Sequence, residues 1–168
     1  LDNKGVLYYR EVEKFLYIRA VGHIRAAICT ELRKKVFKRM EEEPTPRGIS
    51  VDLSQCEYMD STFMGLLVGF NKLLMEKKGR SIEILNPQPE CLELLKGLGV
   101  LPLFRVTNEK CILPDDMELV SQAEKAPAEM LLKAHEDLID ISEDNKSKFS
   151  ALRSILRKNI EDSEDDGN

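Results

Sequence analysis

Strand-like and helix-like runs alternate along the chain from Val6 to Thr107, and this alternation narrows the possible folds more than any single residue does. The stretch from Val6 to Ile24, VLYYREVEKFLYIRAVGHI, partly alternates apolar with polar residues and is rich in β-branched and aromatic types. It reads as two strands broken around Glu11–Lys14, the second ending at Gly22. Residues 25–42 then set Cys29, Leu32, Val36 and Met40 at helical spacing among basic residues, and Pro44 and Pro46 stop the helix. Ile49–Leu53 (ISVDL) is the next strand, with Gln55–Met59 as a connection. From Phe63 a stripe of Phe63, Leu67, Phe70 and Leu74, widened by Leu66 and Leu73, predicts a helix over 62–78 that ends at Lys77, Lys78 and Gly79. Ser81–Leu85 is a strand broken by Asn86 and Pro87, and Glu90–Lys96 is a short helix stopped at Gly97 and Gly99. Leu103–Thr107, with Cys111–Leu113, supplies a last strand. The order is ββαβαβαβ. Strands separated by helices need crossovers, so the chain is expected to be α/β, with a mixed, partly parallel sheet of about four to six strands and helices packed on it.

Beyond Pro114 the strand pattern stops. A short helix is expected over 117–123, and Pro127 resets the chain. Residues 128–142 then carry Leu131, Ala134, Leu138 and Ile141 at heptad-like spacing, and after the polar turn SEDNKSK the same spacing returns in Phe149, Leu152, Leu156 and Ile160. Two amphipathic helices joined this way form an antiparallel hairpin whose apolar faces need each other or a partner. The length, 168 residues, suits one domain with an appendage: a domain over 1–113 and a helical extension over 114–168 ending in the acidic EDSEDDGN.

Charge divides at the same place. Residues 1–113 hold 18 Lys and Arg against 15 Asp and Glu, whereas 114–168 hold 7 against 15, so the net charge of -5 resides in the tail. Neither part has a basic stripe with interleaved aromatics and Trp is absent, so direct nucleic-acid binding is not expected. No apolar run approaches a membrane span, and LDNKGVLYYREVEK lacks the basic flank and apolar core of a signal peptide. Cys29, Cys56, Cys91 and Cys111 are irregularly spaced, without a CxxC pair, and only His23 and His135 could join them on a metal. No metal and no cofactor are expected. Thiols embedded in apolar runs read as small buried hydrophobes in a reducing compartment, which points to the cytoplasm.

YMDSTFMG, residues 58–65, is the one place where three polar residues stand between an apolar strand and an apolar helix. Asp60 or Ser61 sits where a helix cap belongs, and one cap accounts for one of them. The open N–H groups and positive dipole end of the same helix also favour an added anion, so Ser61 could take a phosphate without unfolding, opposed by the charge of Asp60. Met59 and Met64 suit either core filling or adaptable exposed contacts. His23, beside Gly22, reads as a turn or surface residue. Lys34 with Lys35 and Lys38 with Arg39 read as a solvated helix face.

These residues resemble a known family. The strand ISVDL, the DSTFMG turn, the helix GLLVGFNKLLMEKKG, the strand SIEIL and LELLKGLGVLPLF are similar to a STAS domain of the anti-sigma-factor-antagonist (anti-anti-sigma factor) type, over about residues 6–113. The most specific part is a strand, then Asp-Ser-[Ser/Thr], then Gly five residues after the Asp, here Asp60, Ser61, Thr62 and Gly65; Leu95–Val100 supplies an LxxLGV element. Where the family usually has Gly after the Ser pair, this chain has Phe63, and the helices after Pro114 lie outside the family pattern. The resemblance implies a STAS fold and a phosphorylation-switched module. Ser61, or alternatively Thr62, would be phosphorylated by a serine kinase that doubles as the anti-sigma factor, and a serine phosphatase would reverse it. Asp60, Ser61, Thr62 and Met64 would contribute to partner binding, and sigma-factor-dependent transcription would be regulated.

A phosphoryl group adds about -1.5 to -2 charges to the interface, enough to abolish binding by repulsion and desolvation. The chain carries no Walker-type loop, kinase Gly-rich loop or paired carboxylates, so it is expected to be a substrate of enzymes and not an enzyme. The alternatives are a non-phosphorylated STAS scaffold that forms a homodimer through its C-terminal helices, a ligand-sensing or transport-accessory STAS domain, and, more remotely, a cysteine hydrolase.

Overall fold

The computed structural model describes residues 4–110, 113–122 and 125–166. Six strands, β1 (Val6–Val12), β2 (Phe15–Ile24), β3 (Gly48–Met59), β4 (Glu83–Leu85), β5 (Arg105–Thr107) and β6 (Glu118–Leu119), form one sheet in the order β5-β4-β3-β2-β1-β6. β1 runs antiparallel to both β2 and β6, while β2, β3, β4 and β5 are mutually parallel. The crossovers are α1 (Ala26–Glu41), α2 (Ser61–Lys78) and α3 (Pro89–Gly97); α4 (Ala128–Ile139) and α5 (Glu143–Asp166) follow the sheet. This is a mixed α/β sheet of the expected type with a C-terminal helical pair.

The strand patterns explain the layers. Along β2 the residues Leu16, Ile18 and Ala20 are buried and alternate with half-buried Phe15, Tyr17, Arg19 and Val21. In β3 every residue from Gly48 to Leu53 is buried, as a strand between parallel neighbours should be. Its polar members are partnered: Asp52 meets Arg19 Nε at 3.3 Å, and Ser50 donates to Glu83 at 3.4 Å. Helices α1 and α2 pack on each other through an edge-to-face pair, Phe37 and Phe70, with centroids 5.6 Å apart. α2 ends as its sequence requires, with Gly79 in the left-handed region at φ 64° and its N–H donating to Met75 O. The buried Asn71 carboxamide accepts from Ile82 N at 2.8 Å and so ties α2 to the segment entering β4.

Six boundaries differ from the sequence expectation. β2 passes through Gly22, which at φ 79° occupies a register irregularity and lets the strand continue to Ile24. The predicted connection Gln55–Met59 is strand, because Cys56, Tyr58 and Met59 pair with Gly22, His23 and Ile24 while Gln55 and Glu57 face solvent. Leu101–Leu103 forms a single 3-10 turn before a shortened β5, and β4 likewise starts only at Glu83. In place of a helix near residue 117, Glu118 and Leu119 pair with Tyr9 and Tyr8, drawn by the open edge of β1 and not by local propensity. The polar run SEDNKSK is mostly helix, since Ser142 Oγ accepts from Asn145 N at 3.1 Å and starts α5 well before Phe149. Of the expected Cys111–Leu113 strand, residues 111 and 112 lie outside the described residues.

Candidate functional site

Paired parallel strands create the site. β2 and β3 end level, Ile24 opposite Met59, so the helices that follow them start side by side. Asp60 stands between the two starts in extended conformation and serves both. Its Oδ1 accepts from Phe63 N at 2.9 Å, capping α2, and its Oδ2 accepts from Ala26 N at 2.8 Å, capping α1, whose own N-cap residue Arg25 makes no side-chain cap. Asp60 N also donates to Ile24 O at 3.0 Å. Both carboxylate oxygens are thus committed to backbone, and capping requires nothing of Ser61.

The Ser61 hydroxyl points elsewhere. Its Oγ lies 2.8 Å from Nε2 of His135 on α4. His135 Nδ1 is 2.7 Å from the Leu131 carbonyl, which can only accept, so Nδ1 carries a proton and in the neutral ring Nε2 accepts from Ser61. The ring is 3% exposed and meets Phe149 of α5 edge-on, centroids 5.1 Å apart. Although a hydroxyl held by an oriented imidazole resembles an activated nucleophile, the ring is enclosed by protein, and the pair acts here as a contact between α2 and α4.

That contact belongs to a longer seam. Ser61, Gly65, Gly69 and Lys72 form one stripe of α2 against α4. A Cβ on Gly65 would fall 2.7 Å from the carbonyl carbon and 3.0 Å from the Cα of Ala134, so only glycine permits this approach of the two backbones. A Cβ on Gly69 would sit 3.1 Å from Asp137 Oδ2. Asp137, 2% exposed, accepts from Lys72 Nζ at 2.8 Å and Lys133 Nζ at 3.0 Å. Burial pulls the Lys72 ammonium down, but its hydrogen bond to Asp137 and the charges of Asp137 and Asp140 outweigh that and leave it raised.

Thr62 and Met64, expected on a docking face, are each 4% exposed, and neither side chain is presented to solvent; Met59 is fully buried and fills the core. His23 sits at the β2 end with Glu57 at 3.3 Å and Tyr58 beside it. Arg39 departs from the solvated-face reading, since it grips Glu11 of β1 through both Nε and Nη2. Cys29, Cys56 and Cys91 are buried free thiols. Burial, with the Asp60 charge, pushes the Cys29 thiol well up, and the hydrogen bond with Cys91, then burial, raises that of Cys56. Cys111 lies outside the described residues. His135 is the site residue that the sequence did not disclose as a partner of Ser61. Its one local signal is a place directly after Ala134, at the margin of the apolar stripe.

Known proteins share this architecture. The family model described as Mlab, STAS domain, matches residues 9–103, more than half of the chain. Among solved structures, the anti-sigma factor antagonist SpoIIAA in its unphosphorylated form is 20% identical, covering 61% of this chain and 89% of its own, with a TM-score of 0.51. The Bacillus cell fate determinant SpoIIAA in the phosphorylated form is 19% identical over 62% of this chain and 92% of its own, TM-score 0.51. An anti-sigma factor antagonist from Mycobacterium paratuberculosis is 14% identical over 65% and 90%, TM-score 0.51. At these identities the likeness is one of fold. No curated protein sequence matches the chain. No described helix is long and apolar enough to cross a membrane. The β2-α1-β3-α2 core and the family match over residues 9–103 together place this chain in the STAS domain family.

Proposed function

We propose that this chain is a cytoplasmic anti-sigma factor antagonist whose binding is switched by phosphate on Ser61. Unphosphorylated, it binds a serine kinase that is also the anti-sigma factor; phosphorylated, it releases that partner, and a serine phosphatase returns it to the binding form. The chain is the substrate of both enzymes and catalyses nothing itself. The supporting observation is the division of labour at the start of α2: Asp60 performs both caps, so the Ser61 hydroxyl is spared from the backbone and stands at a helix N-terminus that favours an anion. A phosphate there changes charge while leaving both Asp60 caps in place; the contact it gives up is the one from Ser61 to His135 on α4.

The test is phosphosite mass spectrometry on protein from its native cells, with Ser61→Ala beside it, followed by pull-down with Ser61→Ala and Ser61→Asp. Phosphate on Ser61, and a kinase retained by Ser61→Ala but not by Ser61→Asp, is the expected result. Phosphate on Thr62 moves the acceptor by one residue. Absence of phosphate on both across growth and stress conditions overturns the switch, and capture of transporter components in place of a kinase favours a transport-accessory role. A second reading, a scaffold that dimerises through its C-terminal helices, is favoured by Leu152 and Ile155 on α5, which are 36% and 57% exposed. Sedimentation showing a dimer that Ile155→Glu dissociates would support it.

A further inference from the structure

We infer that α4 is an internal cover for Ser61: docking of α4 on the Ser61, Gly65, Gly69 and Lys72 stripe and access of any phosphoryl donor or protein partner to the Ser61 hydroxyl exclude one another. The inference deepens the phosphorylation reading and rests on it for its biological meaning. Its physical content is geometric. Ser61 is half-buried with α4 docked, and its hydroxyl is engaged by His135 Nε2 at 2.8 Å, so a phosphoryl group on Oγ would have to occupy the space that the imidazole fills. Behind that nitrogen the ring is buried, with its other nitrogen fixed on Leu131 O and Phe149 packed against it edge-to-face. With the ring held at both nitrogens and the Ala134 backbone seated on Gly65 one turn along α2, His135 leaves Ser61 together with the helix that carries it. The helix has to leave as a unit.

The seam is built so that it can leave. It carries a Ser–His hydrogen bond and the Lys72–Asp137–Lys133 cluster in addition to the apolar contacts of Met130 and Leu138. Such polar contacts specify one docked register yet return to water at modest net cost when the helix departs. The group on α4 that faces Ser61 sets the direction. In the neutral ring His135 Nε2 is an acceptor, as a phosphate oxygen is, so the two repel where the hydroxyl and the ring now attract; the acids of α4 lie farther along, Asp137 and Asp140 paired with Lys72 and Glu136 with Arg157. Phosphorylation therefore holds α4 off, and α4 holds off phosphorylation. Residues 9–103, matched by the family, end before α4 begins, which makes the cover an addition to the shared fold.

The test needs no kinase. Ser61→Cys in the whole chain converts access into a thiol reaction, read peptide by peptide after timed iodoacetamide labelling. Two partners release α4 without loosening the sheet. Gly65→Ala raises the helix propensity of α2 while placing a Cβ against the Ala134 backbone. Asp137→Lys lies on α4 itself and sets a like charge against Lys72. The expected result is that the thiol introduced at position 61 reacts at least about ten-fold more slowly in Ser61→Cys than with either second substitution, and that α4 amides exchange faster in the double variants while far-UV circular dichroism is preserved. Equal labelling rates in all three proteins, with α4 amides exposed in the double variants, would show that position 61 is open regardless of α4. Protected α4 amides in both double variants would show that the Gly65 and Asp137 contacts do not set docking; either result overturns the cover. If Ser61 is never phosphorylated yet the labelling difference holds, the switch has failed and the cover stands.

Discussion

Asp60 carries more backbone than any other side chain at the site, because two helices of different strands begin beside it. Asp60→Ala removes both caps at once and is expected to lower the unfolding free energy by about 2 kcal/mol, at about 1 kcal/mol per cap, measured by urea denaturation. Asp60→Asn keeps an acceptor and should lose about half as much. Tyr9 shows a different residue-scale effect. Burial, then the nearby Glu11 charge, pushes its phenol up to about 12 from the ordinary 10.0. The folded chain therefore holds that proton more tightly than the unfolded chain does. Stability is unaffected by Tyr9 below about pH 10 and falls as pH rises from about 10 to about 12. In a spectrophotometric titration of tyrosinate, one of the four tyrosines should ionise late, and Tyr9→Phe should remove that phase. At this scale Asp60 was legible in the sequence as a cap candidate beside Ser61, since capping is local. Its second duty to Ala26 was not, because it joins residues 34 positions apart and depends on two strands ending level.

At the scale of elements, one buried amide ties the C-terminal pair together and to the end of α3, in addition to the seam between α2 and α4. Asn145 near the start of α5 donates through Nδ2 to Leu98 O and to Leu138 O, both at 2.9 Å, and so joins the end of α3 and the end of α4 to α5. Asn145→Ala leaves two carbonyls without this donor and should cost about 1–3 kcal/mol, concentrated in the hairpin. Amide exchange should therefore accelerate in α4 and the first turns of α5 while the amides of β3 keep their protection. The hairpin itself was visible in the 128–142 and 149–160 stripes. The early start of α5 was hidden because SEDNKSK is polar throughout and its helical character comes from the Ser142 cap and the Asn145 anchor. The short β6 was hidden for the complementary reason: its two residues pair because β1 offers a free edge.

For the whole molecule, three thiols report the core. Cys29 on α1, Cys56 on β3 and Cys91 on α3 are all buried, and Cys91 Sγ donates to the Cys56 carbonyl at 3.3 Å. Because they sit in separate crossover units of one sheet, no local opening should expose all three together. All three are expected to resist alkylation in native buffer and to react together across the urea transition, followed by peptide mapping. Staggered reaction of the three would show that the β2-α1-β3-α2-β4-α3 body unfolds in parts. By itself the sequence determined the βα alternation, the parallel crossovers, the cap-and-phosphate ambiguity at Asp60 and Ser61, and the amphipathic character of the tail, since periodicity, turn residues and caps act over a few neighbouring positions. Only the tertiary structure decided that Asp60 serves two helices, that Gly65 and Gly69 receive α4, and that His135 holds the Ser61 hydroxyl. Those contacts join residues up to 74 positions apart, and their geometry follows from which strands are neighbours and where they end.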